Sequence, residues 1–232
     1  MTFLALDTSG TFCVLALAED DGSIRAVSLF ESKRTLSTRL LGEVDGLLTR
    51  NGLTLEDMTA FAVGLGPGSF TGVRVGVTTA KTLAQVTGKP LVGVGTLDAY
   101  ASVWVTHDDD TLVVPVLPSR REEVYAAIYR NGERTEGPFA ENVYDMQSRL
   151  QAMERIIVCG DARYLSQGRS AGWYGKIMLP QPWTPPEGLA RIAARRLENN
   201  DIDDPFGLVP LYIVAPSIST PKSVTPLVQE QG

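Results

Sequence analysis

The chain has 232 residues, 44% of them apolar, and a formal net charge of −6. That length suits one large domain or two small ones, with enough chain to bury a core. The acidic balance argues against a surface built as a nucleic-acid footprint. No apolar run reaches the ~20 residues that span a bilayer, so a cytoplasmic protein without membrane contact is expected. Cys13 and Cys159 lie in strand-like apolar runs and read as reduced, buried thiols.

In chain order, Phe3–Leu6 and Cys13–Ala18 read as strands around the polar turn Asp7-Thr8-Ser9-Gly10-Thr11. Asp20-Asp21-Gly22 turns the chain into a third strand, Ile24–Phe30. Leu40, Leu41, Val44, Leu47 and Leu48 make a stripe of period 3.6, a helix that Asn51-Gly52 ends. A buried strand at Phe61–Leu65 then leads through a glycine-rich turn into a helix from about Ser69 to Val86. Gly88-Lys89-Pro90 stops that helix before a strand, Leu91–Val94, and a short helix from Thr96.

After Asp108-Asp109-Asp110 the pattern starts again, with strands at Leu112–Leu117 and Val124–Tyr129 and a hairpin turn at Asn131-Gly132. A helix near Tyr144–Met153, a strand at Ile156–Cys159 and a helix carrying Leu189, Ile192, Ala193 and Leu197 complete it. The expected fold is α/β, two lobes built from duplicated βββαβα units. The lobes are expected at 1–107 and 108–215, with a Pro/Ser-rich, disordered tail at 216–232.

Two constellations invite chemistry. Gly66-Pro67-Gly68-Ser69 sits between a strand and a helix N-terminus, where free N–H groups and the helix dipole suit an anion or a closely approaching backbone. It is neither a Walker loop nor a dinucleotide fingerprint. Asp7, Thr8 and Ser9 could hold a metal-bound phosphate, although their spacing favours an Asx-type turn. Together Asp7, Thr8, Ser9, Gly66, Gly68 and Ser69 form the candidate phosphate side. Along the next helix Gly72, Gly76, Ala80 and Ala84 recur every fourth residue, with Val73 beside them. Such a stripe reads as a helix–helix interface, within the chain or between molecules.

No catalytic set emerges. His107 is the single histidine and reads as a solvated loop residue, no cluster has metal-ligand spacing, and a nucleophile triad cannot be built. Glu122 and Glu123 are adjacent, so in a strand they point to opposite faces.

Leu4-Ala5-Leu6-Asp7-Thr8-Ser9, Gly64-Leu65-Gly66-Pro67-Gly68-Ser69-Phe70-Thr71-Gly72-Val73-Arg74 and Pro90-Leu91-Val92-Gly93-Val94 together resemble the TsaB family. The likeness continues weakly through Glu123-Val124-Tyr125 and Pro210-Leu211-Tyr212. It implies an actin/Hsp70/sugar-kinase-like fold. It also implies a non-catalytic subunit required to make threonylcarbamoyladenosine, the modified adenosine beside the anticodon in tRNAs reading codons that begin with A. The implied partners are a catalytic TsaD-like subunit, a TsaE-like ATPase and, when alone, a second copy, with tRNA met only through the complex. No cofactor of its own is implied, only ATP or ADP at a complex interface. Leu40, Val44 and Leu47, with Gly72, Val73, Gly76, Ala80 and Ala84, would form the docking surface. Where the TsaD pattern carries two metal-binding histidines four residues apart, this chain has Thr96 and Tyr100.

Three positions depart from the family. Pro118-Ser119-Arg120-Arg121-Glu122 replaces a stretch usually written Asp-Ala-Arg before Gly, Leu36 replaces a His, and Val214 replaces an Arg. The rival readings are a stand-alone ATPase or kinase using Asp7 and the glycine turn, a metal-dependent peptidase, and a growth-related binding protein.

Overall fold

A computed structural model describes residues 1–32, 35–104, 110–120, 122–161 and 177–214. The first half runs β1 (Thr2–Asp7), β2 (Phe12–Glu19), β3 (Ile24–Glu31), α1 (Leu36–Arg50), β4 (Met58–Gly64), α2 (Phe70–Thr87), β5 (Leu91–Val94) and α3 (Thr96–Val103). The second runs β6 (Leu112–Pro118), β7 (Glu123–Arg130), β8 (Glu133–Asn142), α4 (Val143–Ala152), β9 (Ile156–Gly160), β10 (Ile177–Pro180) and α5 (Pro186–Glu198).

The duplication is topological. One sheet has the order β3-β2-β1-β4-β5, and the other, read from its far edge, β8-β7-β6-β9-β10. In each, three antiparallel strands are followed by two parallel ones. The expected α/β class and its two repeated units are both present. His107, Asp108, Asp109 and the tail 216–232 lie outside the described residues.

Strand β1 is buried along its whole length because helices cover both faces of its sheet. Leu4 and Leu6 meet α1 and α2 on one side, where Leu40, Val44, Leu47, Val73 and Val77 close the core. Phe3 and Ala5 face the other side, a surface dominated by small residues: Ala16, Ala18, Ala60 and Ala62 meet Leu189, Ala190, Ala193 and Ala194. The helix on that side is α5. Sequence order counts α5 with the 108–215 lobe, but it packs on the first sheet, because only an alanine-rich helix seats closely on so smooth a face. The chain then stays on the first lobe: Asp203 pairs with Leu91, and the Leu211 amide donates to the Leu65 carbonyl at 2.8 Å. The lobe division at 107/108 therefore separates the two sheets without separating the two packed bodies.

Helix α3 links the lobes. Leu97, Tyr100 and Ala101 pack on Val113, Leu117, Tyr129 and Ile157 of the second sheet. The Tyr129 hydroxyl donates to Asp98 Oδ1 at 2.6 Å, and Arg134 pairs with the same oxygen at 3.3 Å. The second sheet has its own core with Met146 and Leu150 of α4. Both cysteines are free and buried, as expected. Burial pushes the Cys13 thiol up to about 11 and the Cys159 thiol higher still. Among the described residues no helix is long and apolar enough to cross a membrane.

Candidate functional site: the loop pair at the mouth of the cleft

The Asp7-Thr8-Ser9 loop and the glycine turn fold onto each other. Ser69 caps α2, its hydroxyl accepting from the Gly72 amide at 3.2 Å. The Ser69 amide donates to the Ser9 carbonyl at 2.7 Å. The Thr8 hydroxyl donates to the Gly72 carbonyl at 2.6 Å. A Cβ on Gly68 would strike the Ser9 backbone, and one on Gly72 the Thr8 carbonyl. The glycine turn thus receives another stretch of backbone, one of the two roles its composition allows. Gly66 turns the chain with φ of 90°, a left-handed conformation that favours glycine.

Asp7 lies beneath this pair, only 1% exposed. Its Oδ1 accepts from the Ser9 amide at 2.6 Å, and its Oδ2 accepts from the Thr96 hydroxyl at 2.9 Å. Gly64 leaves room for the carboxyl, since a Cβ there would collide with it. Burial raises the Asp7 pKa, and hydrogen bonds from Ser9, Thr96 and Thr184 partly offset that rise. The Asx-type reading of this turn is the one the geometry contains: the side chain bonds the backbone two residues on.

Thr96 ties the loops to α3. Its hydroxyl accepts from the Gly66 amide at 3.1 Å while its own amide donates to the Gly66 carbonyl at 2.8 Å. Tyr100, one turn along, donates from its hydroxyl to the Gln181 carbonyl at 3.1 Å. Both side chains at the two positions compared with the histidine pair are committed to internal bonds.

Between the lobes lies a cleft of about 640 Å³. Ser9, Gly68 and Ser69 line it, as do Thr96 and Tyr100, with Ser119, Arg120, Tyr125 and Asp161 opposite. Asp7, Thr8 and Gly66, grouped with the phosphate side by sequence, lie behind that wall with their polar atoms already used. Among the described residues no group of three or more His, Cys, Asp or Glu could hold a metal ion.

The residues expected to form the docking surface are not at the surface. Leu40, Val44, Leu47, Gly72, Val73, Gly76, Ala80 and Ala84 are all buried within this chain. The small-residue stripe faces inward because Thr8 occupies the space beside it: a Cβ on Gly76 would meet the Thr8 hydroxyl oxygen. Larger residues would not serve there, and what the glycines of the stripe meet is the loop after β1 and not a second helix. Instead, the outer faces carry Leu41, Gly42 and Asp45 on α1 and Thr71, Arg74, Thr78, Thr82 and Val86 on α2, all exposed.

Sequence reasoning also missed the C-terminal stretch that flanks the cleft. Leu211, Tyr212, Ile213 and Val214 line it, and Tyr212 packs its ring 5.0 Å from that of Phe70. Its weak Pro210-Leu211-Tyr212 motif was the available signal.

Residues 30–186 match the model of the family described as TsaD, tRNA N6-adenosine threonylcarbamoyltransferase. The chain is 34% identical over 192 residues to the tRNA threonylcarbamoyladenosine biosynthesis protein TsaB of Escherichia coli K12, covering 78% of this chain and 82% of that protein. A Pseudomonas aeruginosa structure described as similar to the peptidase YeaZ superposes with a TM-score of 0.72 at 25% identity, over 92% of this chain and 99% of that one. The activator of the 2-hydroxyisocaproyl-CoA dehydratase from Clostridium difficile gives a TM-score of 0.54 at 10% identity, covering 88% and 99%, a likeness of fold alone. The two-lobed fold is thus of the actin/Hsp70/sugar-kinase kind, and its shared motifs and matched length make the chain a member of the TsaB family.

Proposed function

We propose that this chain is a non-catalytic subunit in the formation of threonylcarbamoyladenosine in tRNA, acting by docking on and activating a TsaD-like transferase. Family membership supports the pathway. The observation that carries the non-catalytic reading is the commitment of Asp7, Thr96 and Tyr100, whose polar side-chain atoms are bonded within the chain. The same bonds weigh against a stand-alone ATPase built on Asp7, whose carboxyl is buried and biased towards its neutral form.

Docking uses the outer faces of α1 and α2. Gly42 has open space where its side chain would be, and Gly46 meets only the flexible end of Arg50. Glycine inside a helix costs about 1 kcal/mol relative to alanine, so two in α1 are explained by close approach of another helix. On α2 the exposed threonines Thr71, Thr78 and Thr82 are short and keep part of that face shallow, with Arg74, Gln85 and Val86 exposed beside them. A TsaE-like ATPase, with ATP or ADP at a subunit interface, completes the proposed assembly; tRNA is met through the complex, at adenosines beside anticodons for codons beginning with A. Alone, the protein pairs with a second copy through the same faces.

The test is reconstituted threonylcarbamoyl transfer to tRNA with the cognate TsaD, TsaE and threonylcarbamoyl-adenylate synthase, with and without this protein. Modification only in its presence is the expected result. Equal modification without it rejects the accessory reading.

A further inference from the structure

The last described stretch, residues 203–214, runs back across the first lobe, and two side chains of one helix hold it there. Lys81 Nζ donates to the carbonyls of Phe206 at 3.2 Å and Leu208 at 2.8 Å. Arg74 Nε donates to the Tyr212 hydroxyl at 3.0 Å, and its guanidinium lies 4.2 Å from the Phe70 ring centre. Arg74 and Lys81 are two turns apart on α2, so they share one stripe of the helix, with exposed Thr78 between them. Leu208 packs against the first core, and the Leu211 amide donates to the Leu65 carbonyl at the end of β4. Past these anchors, Leu211 to Val214 form part of the cleft wall. A single helix therefore presents a stripe to solvent and, through the cations of that stripe, holds a wall of the cleft.

We infer that residues 203–214 are a strap coupling the outer face of α2 to the interlobe cleft, so that a protein subunit seated on the Arg74–Thr78–Lys81 stripe tightens the cleft wall. The inference rests on the docking reading above. Arg74 is exposed in the free chain, where water competes for its bond to Tyr212. A subunit covering that stripe removes the water, and a charge-assisted bond strengthens as its surroundings lose polarity. Tyr212 is then held more firmly on Phe70, and the backbone of Leu211 to Val214 follows it. Val73 lines the same cleft from the next turn of α2, so the helix and the strap meet the cleft side by side.

Amide hydrogen exchange on the full chain, with and without a saturating cognate TsaD-like subunit, reads the coupling at the Leu211 amide. That amide donates to the Leu65 carbonyl, just past β4, and to no group of α2, so simple coverage of α2 does not by itself protect it. Its exchange is expected to slow by about tenfold in the complex, the factor given by one strengthened charge-assisted bond. The variant Tyr212→Phe keeps the ring but loses the acceptor for Arg74, and in it the slowing is expected to vanish while the complex still forms. Unchanged exchange at Leu211 in a complex shown by co-elution overturns the coupling and leaves docking intact. Equal slowing in Tyr212→Phe also overturns it. Failure of the two proteins to co-elute at all overturns the docking reading, and the coupling falls with it.

Discussion

Gly76 places its bare Cα against the hydroxyl of Thr8, and both residues are buried. That contact decides what the small-residue stripe is for. It lets α2 lie against the Asp7-Thr8-Ser9 loop closely enough for Thr8 to reach the Gly72 carbonyl. Gly76→Leu is therefore expected to damage the fold itself. Overpacking a rigid site of this kind costs on the order of 3 kcal/mol, and breaking the Thr8 bond adds to that. Urea unfolding checks it: an unchanged midpoint would show that the contact is not needed.

The docking surface is tested where side chains have room. Gly42→Arg and Val86→Glu change positions that are exposed, with nothing near Gly42 and Val86 at 81% exposure. Val86→Glu alters stability by only about 0.5 kcal/mol, and Gly42→Arg raises it by up to about 1 kcal/mol through helix propensity, so neither unfolds the chain. Affinity for a TsaD-like subunit is expected to drop by about tenfold or more in each, or ~1.4 kcal/mol. Titration calorimetry with the purified subunit would check it, and full affinity in both variants would remove the outer faces from consideration. Gly42→Ala should likewise stabilise the isolated chain by about 1 kcal/mol, with affinity for the subunit little changed.

Asp7 sets a pH dependence whose sign follows from its raised pKa. Folding carries this carboxyl above its ordinary value of 3.8, so the folded chain holds the proton more tightly than the unfolded one. Its contribution is most favourable at and below 3.8, declines as pH rises through the folded pKa, and is level above it. Asp7→Asn keeps an acceptor for the Ser9 amide and carries no charge. The variant is expected to lack this decline, so its stability relative to the parent should rise with pH from about 4 towards neutrality. Thermal melts of both proteins across that range measure the difference. A constant difference would mean that Asp7 does not change its protonation on unfolding.

The lobes are held by α3, and Tyr129→Phe probes that link. The hydroxyl's bond to Asp98 is short and partly buried, and a hydrogen bond to a charged group is worth about 1.5–3 kcal/mol. Unfolding is expected to start at lower denaturant, with exchange rising first in the second sheet. Uniform loss across both sheets would show that the lobes unfold as one unit.

The readable parts of this fold are those set by local pattern. The period of Leu40, Val44, Leu47 and Leu48 marks α1, alternating and continuous apolar runs mark most strands, and Gly88 marks the end of α2, where it adopts φ of 68°. The glycine turn was legible as a place of close approach because a missing Cβ has that consequence wherever it occurs. The repeated order of elements was legible too, and it is what gives both sheets the same topology.

What approaches the turn, and which way each helix faces, are questions of tertiary structure. The spacing of Gly72, Gly76, Ala80 and Ala84 is the same whether the stripe meets Thr8 or a second molecule, and only the placement of β1 beside α2 puts it inside. The alanines of α5 could have served the second sheet as well as the first. They sit on the first because its β1–β4 face is lined by Ala5, Ala16, Ala60 and Ala62, a complementarity between residues more than 120 positions apart. Likewise, no local rule brings Tyr212 back to Arg74, a pair separated by 138 positions. Local pattern sets the elements and the points of close approach, because those depend on neighbouring residues. The faces, the cleft and the strap were decided by tertiary packing, because burial belongs to pairs of surfaces.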